Sequence, residues 1–539
     1  MPELIFHSGD PHRKMTHLSA DICFGAFMNI RDLLKRSAEF HSERDAVVFG
    51  DRRMSFGEAW DRGLRMANGL MALGADTGDR VAVLEDNCLE SVDFLLGTAI
   101  AGLVRVPLFA RNKRQSHAEM LRSSECRIAV VSENYKDELA GFDDELPDLS
   151  KILVRDENYE QWLGEQSNED PDPTIEFDDL YALRFTGGTT GEPKGIPLTH
   201  RIFINQFRDW FYGLPALEKT DAVMHAAPIS HASGYWFIPA WMAGARNVMV
   251  SAFVPPKILD LLANEEISFL FLPPTAINAL CHTPGAAERQ FPALKVLLSA
   301  SAPIAEKTAT LAHETFGDVM YHAYGLSEAL PVAQMGPLEW FAEVEGSEPL
   351  RACGKPLPFT EMQIWNDDDQ AVATGDEGEI VVRSEGQISG YWKNEEESAK
   401  KFVDGWLRTG DIGRLDRHGY LYLLDRKNDM IISGGFNIYP AELENVITNH
   451  PEVLEAAVVG VPHDKWGETP LALCTVKDGA NVNEEEVIEL VTDSLGSYKK
   501  PGKVEFTTDP LPKTPVGKID RKAIKAVQWE AAGKKIGGA

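Results

Sequence analysis

Residues 183–200, LRFTGGTTGEPKGIPLTH, constrain this chain more than any other stretch. Gly187, Gly188, Gly191 and Gly195 leave the backbone free to turn and to present its N–H groups. Thr186, Thr189 and Thr190 add hydroxyl donors, and Lys194 adds a mobile positive charge. Successive N–H groups in such a loop form an anion-binding concavity, so the stretch reads as a phosphate cradle. A flexible surface loop is the bland alternative, and threonines and a lysine at these offsets argue against it. The pattern is not G-x-x-x-x-G-K-[ST], because Pro193 precedes Lys194 and Gly195 follows it. A nucleotide site of another kind is implied.

A phosphate site needs a scaffold, and 539 residues exceed one ordinary core, so two or more domains are expected. The net charge of −30 argues against nucleic acid or an anionic membrane surface as a partner. A local basic site in an acidic whole still admits ATP or CoA. Cys23, Cys88, Cys126, Cys281, Cys353 and Cys474 are scattered without a C-x-x-C pair, which suggests reduced thiols in a cytoplasmic protein. The N-terminus lacks the apolar core of a secretory leader. The longest apolar run, near residues 94–104, is too short to span a bilayer. A homodimer is left open.

The chain then alternates strands and helices. Ile30, Leu33, Leu34 and Ala38 recur at helical spacing, residues 46–55 read as a hairpin, and Ser55 with Glu58 marks a helix start. Short apolar runs at 81–84, 102–107, 128–131 and 152–154 read as strands, with a helix at 90–101. Residues 156–179 are acidic and contain prolines, and within them 168–173 read as a solvated surface connection. Beyond the loop, strands are expected at 223–228, 247–250, 268–272, 296–299 and 319–321, several ending in polar or proline turns. This rhythm indicates parallel α/β layers, where ligands bind outside the C-terminal strand ends. From Gly354 to residue 424 the texture becomes all-β, and a small α+β unit follows.

Three later stretches carry chemistry. In 322–328, HAYGLSE, an aromatic face can stack on a base, glycine permits close backbone approach, and Glu328 is a hard oxygen ligand suited to Mg²⁺. Thr409-Gly410-Asp411 places a carboxylate at a glycine turn, where it can accept both hydroxyls of a ribose. Residues 512–521, PKTPVGKIDR, set Lys518 in a proline-edged loop.

Taken together these stretches resemble the adenylate-forming superfamily of acyl-CoA synthetases, aryl-CoA ligases, peptide-synthetase adenylation domains and firefly-type luciferases. The opening loop is similar to its phosphate-loop signature, 324–328 to its Y-G-x-[ST]-E motif with Ser327 in the hydroxyl slot, and 512–521 to its C-terminal P-x-T-x-x-G-K-[IVL]-x-R signature. The likeness runs through the whole chain in order.

The resemblance implies a large N-terminal domain of layered α/β subdomains with a β-barrel-like section, residues 1–427, and a small mobile α+β domain, residues 428–539, hinged at Asn428. It implies an ATP-dependent carboxylic acid–CoA ligase that forms an acyl-adenylate and pyrophosphate, then acyl-CoA and AMP. Catalytic roles fall on Lys518, His231, Thr189 and Glu328, and a Mg²⁺ site on Thr189 and Glu328. ATP contacts fall on Thr186, Gly187, Gly188, Thr189, Thr190 and Lys194, on Ser301, Ala302 and Pro303, on His322, Ala323, Tyr324, Gly325 and Ser327, and on Asp411 and Arg426. The route for the CoA thiol falls on Ser433, Gly434 and Gly435. The acid pocket is expected around 231–241 and 273–280, where Ser233 and Gly234 are small, Tyr235, Trp236, Phe237 and Trp241 are large, and no lysine or arginine occurs. That favours a neutral apolar acyl or aryl acid. The competing readings are a ligase that loads an acyl carrier protein, a luciferase-like oxygenase, and a non-catalytic AMP-binding protein.

Overall fold

The computed structural model describes residues 28–142, 146, 148–186, 193–230, 233–427, 429–433, 436–463, 465–514 and 518–531. Two sheets dominate the first two thirds of the chain. One has six strands, ordered Lys151–Arg155, Ile128–Ser132, Arg80–Leu84, Val104–Leu108, Leu180–Thr186 and Lys194–Thr199. All run parallel except the last, which pairs antiparallel with Leu180–Thr186. The other has nine strands, and its centre is a parallel run of Met320–Leu326, Val296–Ser299, Phe269–Leu272, Ala222–His225 and Arg246–Met249. The sequences FLFL and VLLS are apolar at nearly every position because helices cover both faces of such strands.

Between the sheets lies an aromatic core that includes Tyr181, Phe203, Trp210, Trp236, Phe237 and Trp241. Asn87 joins the two halves at their strand ends. Its Nδ2 donates to the carbonyls of His225 (3.0 Å), Ala227 (3.0 Å) and Val250 (3.2 Å), and its Oδ1 accepts from Ile229 N at 2.9 Å. The segment leading to position 231 is thereby tied to the opposite sheet.

A five-stranded antiparallel sheet follows, built from Thr360–Trp365, Gly378–Ser384, Phe402–Val403, Trp406–Leu415 and Leu421–Arg426. The C-terminal unit wraps Pro440–Thr448, Glu484–Leu495 and Arg521–Ala531 around a sheet led by the long pair Val453–His463 and Gly467–Val476. Large N-terminal and small C-terminal units of α/β, β and α+β texture are therefore as expected. Among the described residues no helix is long and apolar enough to cross a membrane.

Local signals hold where both partners are close in sequence. The Ser55 side chain accepts from Glu58 N at 3.1 Å, and Glu58 accepts from Ser55 N at 2.8 Å, a complete capping box. Other readings shift. Residues 168–173 are not merely solvated: Asp170 and Asp172 hold the buried Arg31 at 2.5 and 3.0 Å, and the helix Tyr159–Gly164 precedes them. Residues 320–335 form an antiparallel hairpin, with Glu328 just before its second strand. Asp411 lies inside the strand Trp406–Leu415, where Gly410 has φ +76° and the register against Gly378–Ser384 slips. A bulge, not a loop, re-aims this side chain. The helix Arg521–Ala531 escapes a periodicity reading because Ile524 and Trp529 are its buried apolar residues while Val527 is exposed.

Candidate active site

The strands Leu180–Thr186 and Lys194–Thr199, which flank the phosphate-loop stretch in sequence, form a hairpin. Thr186 and Lys194 are cross-strand partners closing it, so backbone pairing sets the loop's two ends. Gly187, Gly188, Thr189, Thr190 and Gly191 lie outside the described residues, as do His231, Asn428, Gly434 and Gly435.

Lys194 is engaged. Its Nζ is 2.6 Å from Glu397 Oε2 and 5.3 Å from the ring centroid of Tyr391. The Tyr391 hydroxyl donates to Glu328 Oε1 at 2.6 Å. One aromatic residue thus bridges the loop lysine and the expected metal carboxylate. Lys194 and the Lys400 ammonium hold the Glu397 carboxyl down at about 2. Glu328 is buried and keeps Oε2 without a hydrogen-bond partner among the described residues.

Asp411, buried, forms a second cluster. Its Oδ2 accepts from the Tyr324 hydroxyl at 2.5 Å, and its Oδ1 pairs with Arg426 Nε at 2.6 Å. Burial pushes the Asp411 carboxyl upward, opposed by Arg426, Tyr324, Lys401 and Lys518. The bulge beneath it is pinned from three sides. Asp411 N donates to Thr409 Oγ1 at 3.0 Å, Gly410 N donates to Glu379 Oε1 at 3.1 Å, and Lys401 Nζ donates to the carbonyls of Arg408 (3.0 Å) and Thr409 (3.1 Å). Burial also pulls the Lys401 ammonium below the ordinary lysine range.

Lys518 reaches this cluster from the C-terminal unit. Surrounding protein and the charge of Arg426 pull its ammonium down, and Asp411 opposes them. Lys518 itself is exposed, so water moderates the shift. The turn that carries it is closed by Lys518 N to Thr514 Oγ1 (3.2 Å) and Thr514 N to Lys518 O (2.7 Å). Arg521 anchors the turn to the helix Pro440–Thr448 through Glu444, Nε to Oε1 at 3.0 Å.

The remaining expected residues divide. Ser301 (φ +76°), Ala302 and Pro303 follow the strand Val296–Ser299 at its C-terminal end. Ala323, Gly325 and Ser327 belong to the segment that presents Tyr324 and Glu328. His322 is buried, its Nδ1 2.9 Å from Ser299 O and its ring stacked on Trp340 at 4.9 Å, so its side chain is committed to the core. Burial lowers its imidazole to about 4. Ser433 sits on the hairpin Ile431–Ser433/Phe436–Ile438, pairing with Phe436 and Gly467 within the C-terminal unit. Of the expected acid-pocket aromatics, Trp236 packs against Trp210, Phe211, Phe269 and Phe271, whereas Trp241 stacks on Phe237 and meets Phe56 at a tilt in the core.

Tyr391, Glu397 and Lys401 were not found by sequence reasoning. Tyr391 and Glu397 act across long separations, 63 positions to Glu328 and 203 to Lys194, whereas Lys401 reaches carbonyls only seven and eight positions on. A local trace exists only for the segment: Asn394 caps the helix Glu395–Lys401, whose first turn is three glutamates.

A buried carboxylate with one oxygen unpartnered among the described residues suits Mg²⁺, a hard cation that takes one or two carboxylates beside substrate phosphates. Glu328 fits that part. Among the described residues no cluster of three His, Cys, Asp or Glu would hold a metal alone, so phosphates would have to complete the site.

The AMP-binding enzyme family model matches residues 34–392, and the AMP-binding enzyme C-terminal domain matches residues 442–518. The chain is 29% identical to a medium/long-chain-fatty-acid–CoA ligase of Mycobacterium tuberculosis, covering 94% of this chain and 91% of that protein. It is 32% identical to a feruloyl-CoA synthase of Amycolatopsis sp, covering 90% and 96%. A solved structure of an anthranilate CoA ligase in complex with anthranoyl-AMP superposes with a TM-score of 0.86 at 25% identity, covering 94% and 98%. The chain belongs to the AMP-binding enzyme family, as an ATP-dependent acid–CoA ligase that works through an acyl-adenylate.

Proposed function

We propose that the acid is neutral and apolar, a fatty or an aryl acid, and that the named residues divide the two half-reactions as follows. Asp411 receives the ribose hydroxyls, with Tyr324 and Arg426 fixing its two oxygens. Lys194 and the loop beside it hold the β and γ phosphates. Lys518 stands between the carboxylate and the α-phosphate, where a cation offsets repulsion between two anions and stabilises charge built up during attack. The substrate carboxylate oxygen attacks the α-phosphorus, the bond to the bridging oxygen breaks, and pyrophosphate leaves. A CoA thiolate then attacks the acyl carbon, and AMP departs with the electron pair. Mg²⁺ held by Glu328, with Thr189 as its expected partner, would neutralise phosphate charge.

The observation that carries this reading is the convergence on one buried carboxylate. Tyr324, Arg426 and the C-terminal Lys518 all act on Asp411, across 87 positions for Tyr324 alone. A protein that merely bound AMP would have no need to bring a cation from a second domain to that spot. The apolar-acid reading is supported by Trp236 and its aromatic neighbours, and by the fatty-acid and feruloyl relatives.

We place the domain boundary at 427/428, after the strand Leu421–Arg426. The unpaired cysteines Cys88, Cys126, Cys281, Cys353 and Cys474 support a cytoplasmic setting. Pyrophosphate release over a panel of carboxylic acids, with and without CoA, tests the reading. Medium-chain fatty or hydroxycinnamic acids should give CoA-dependent turnover. Turnover confined to amino acids or dicarboxylates would refute it, and acceptance of carrier protein in place of CoA would favour the loading enzyme.

A further inference from the structure

The strands Val104–Leu108 and Leu180–Thr186 are parallel neighbours, with Arg105 opposite Ala182. Cross-strand partners share a face, and so do residues two apart along a strand. Arg105 and Arg184 therefore point to the same side of the six-stranded sheet, into the aromatic core. Arg105 is 2% exposed, Arg184 7% and Tyr181 1%.

Among the described residues no salt bridge joins either guanidinium to a carboxylate. Burial lowers the Arg184 guanidinium, and the charge of Arg105 adds to that. Among the described residues Arg105 leaves Nε and Nη2 without hydrogen-bond partners, Arg184 leaves Nε and Nη2, and the Tyr181 hydroxyl is also unpartnered. Aromatic faces give partial relief. The Arg184 guanidinium lies 4.2 Å from the Tyr235 ring centroid and 5.9 Å from that of Phe203, and Arg105 lies 5.5 Å from that of Tyr181. Ring faces attract a cation, but they do not satisfy in-plane N–H donors, and they leave two like charges desolvated on one face of the sheet. Water would satisfy the donors without cancelling the charge. An anion would do both.

We propose that Arg105 and Arg184, with the Tyr181 hydroxyl, enclose a small inorganic anion of halide size. The sealed surroundings set the size, because groups this buried admit no substrate-sized carboxylate. The position gives the ion a reach: Arg184 is two residues before Thr186 at the mouth of the phosphate loop, and its Nη2 borders Gly234 at the start of the helix Gly234–Ala243. The ion would clamp the phosphate hairpin to the acid-side helix.

Bromide is the direct probe. Crystals of the full chain exchanged into bromide should show an anomalous peak within hydrogen-bonding distance of both guanidinium groups. No peak there, or peaks only on the surface, would overturn the proposal. In solution, protein prepared in sodium gluconate should gain thermal stability on titration with sodium chloride at constant ionic strength, with saturation, because gluconate is too large for the site. The gain should vanish in Arg184→Met, and in Arg105→Met if the first variant does not fold. Equal melting temperatures for the wild-type chain in chloride and gluconate would refute the ion without any variant.

Discussion

Lys194 Nζ and Glu397 Oε2 stand 2.6 Å apart, joining the phosphate hairpin to the helix Glu395–Lys401. The cation assigned to pyrophosphate is therefore already paired with a carboxylate of the same protein. Any phosphate that takes Lys194 must displace Glu397, and Glu397 recovers the lysine when the phosphate leaves. Glu397→Gln should make pyrophosphate a stronger product inhibitor, by about two- to fivefold for an ion pair worth ~0.5–1 kcal/mol. The KM for ATP should fall in parallel. An inhibition constant that stays the same or rises would show that the pair does not compete with phosphate.

Removing the C-terminal cation should separate the half-reactions. Lys518→Ala should slow pyrophosphate release by at least about 10²-fold, the size typical of one lost electrostatic donor. Conversion of a preformed acyl-adenylate and CoA into acyl-CoA should stay near normal. Undiminished adenylation in the variant would contradict the assignment.

The same lysine sets a pH limit. In the proposed role its ammonium form is the active one, and its surroundings pull it below the ordinary value of 10.5. The charge is complete at low pH and is lost as pH rises through that lowered value. The alkaline limb of the adenylation rate should thus fall earlier than a free lysine would dictate. Lys518→Arg should retain part of the activity and move the limb upward, since guanidinium stays charged. A limb at the same pH in both proteins would assign it to another group.

Tyr324→Phe removes the hydroxyl that donates to Asp411 Oδ2 at 2.5 Å. A buried carboxylate then loses one of its two fixed partners. The KM for ATP should rise roughly fivefold to tenfold, as for a hydrogen bond worth about 1–1.5 kcal/mol. Discrimination of ATP against 2′-deoxy-ATP should narrow. Full discrimination at an unchanged KM would mean that Arg426 alone orients Asp411.

Asp425 offers a stability test at the domain junction. Its oxygens accept from Arg426 N at 2.7 Å and Ala441 N at 3.0 Å, yet burial pushes its carboxyl up to about 7. The folded chain holds this proton more tightly than the unfolded chain. The Asp425 contribution should therefore favour folding below about pH 4, decline as pH rises to about 7, and stay low above it. Asp425→Asn should flatten that slope in thermal melts, although it gives up one of the two acceptors. An unaltered slope would show that other carboxyls set it.

Much of this architecture was legible in the chain because it is written locally. A capping pair such as Ser55 and Glu58 spans three positions, and apolar strands such as residues 296–299 announce their own burial. The motif residues Glu328, Asp411, Arg426 and Lys518 were legible through resemblance, and three of them meet in space. What was hidden is the partner of each charged group. Glu397 faces Lys194 only because two remote elements pack together. Arg184 lies over Tyr235 although the acid-side stretches contain no basic residue, so composition of a segment does not report the charge around it. The bulge at Gly410 was likewise invisible, since Thr-Gly-Asp looks the same in a loop and in a strand.

The turn from Thr514 to Lys518 is closed on itself and bolted to its own domain through Arg521 and Glu444. On the proposed role of Lys518, its reach to the α-phosphate would be set by how its domain stands against the large one. An angular step of that domain, multiplied by its length, would then end one half-reaction before the other begins.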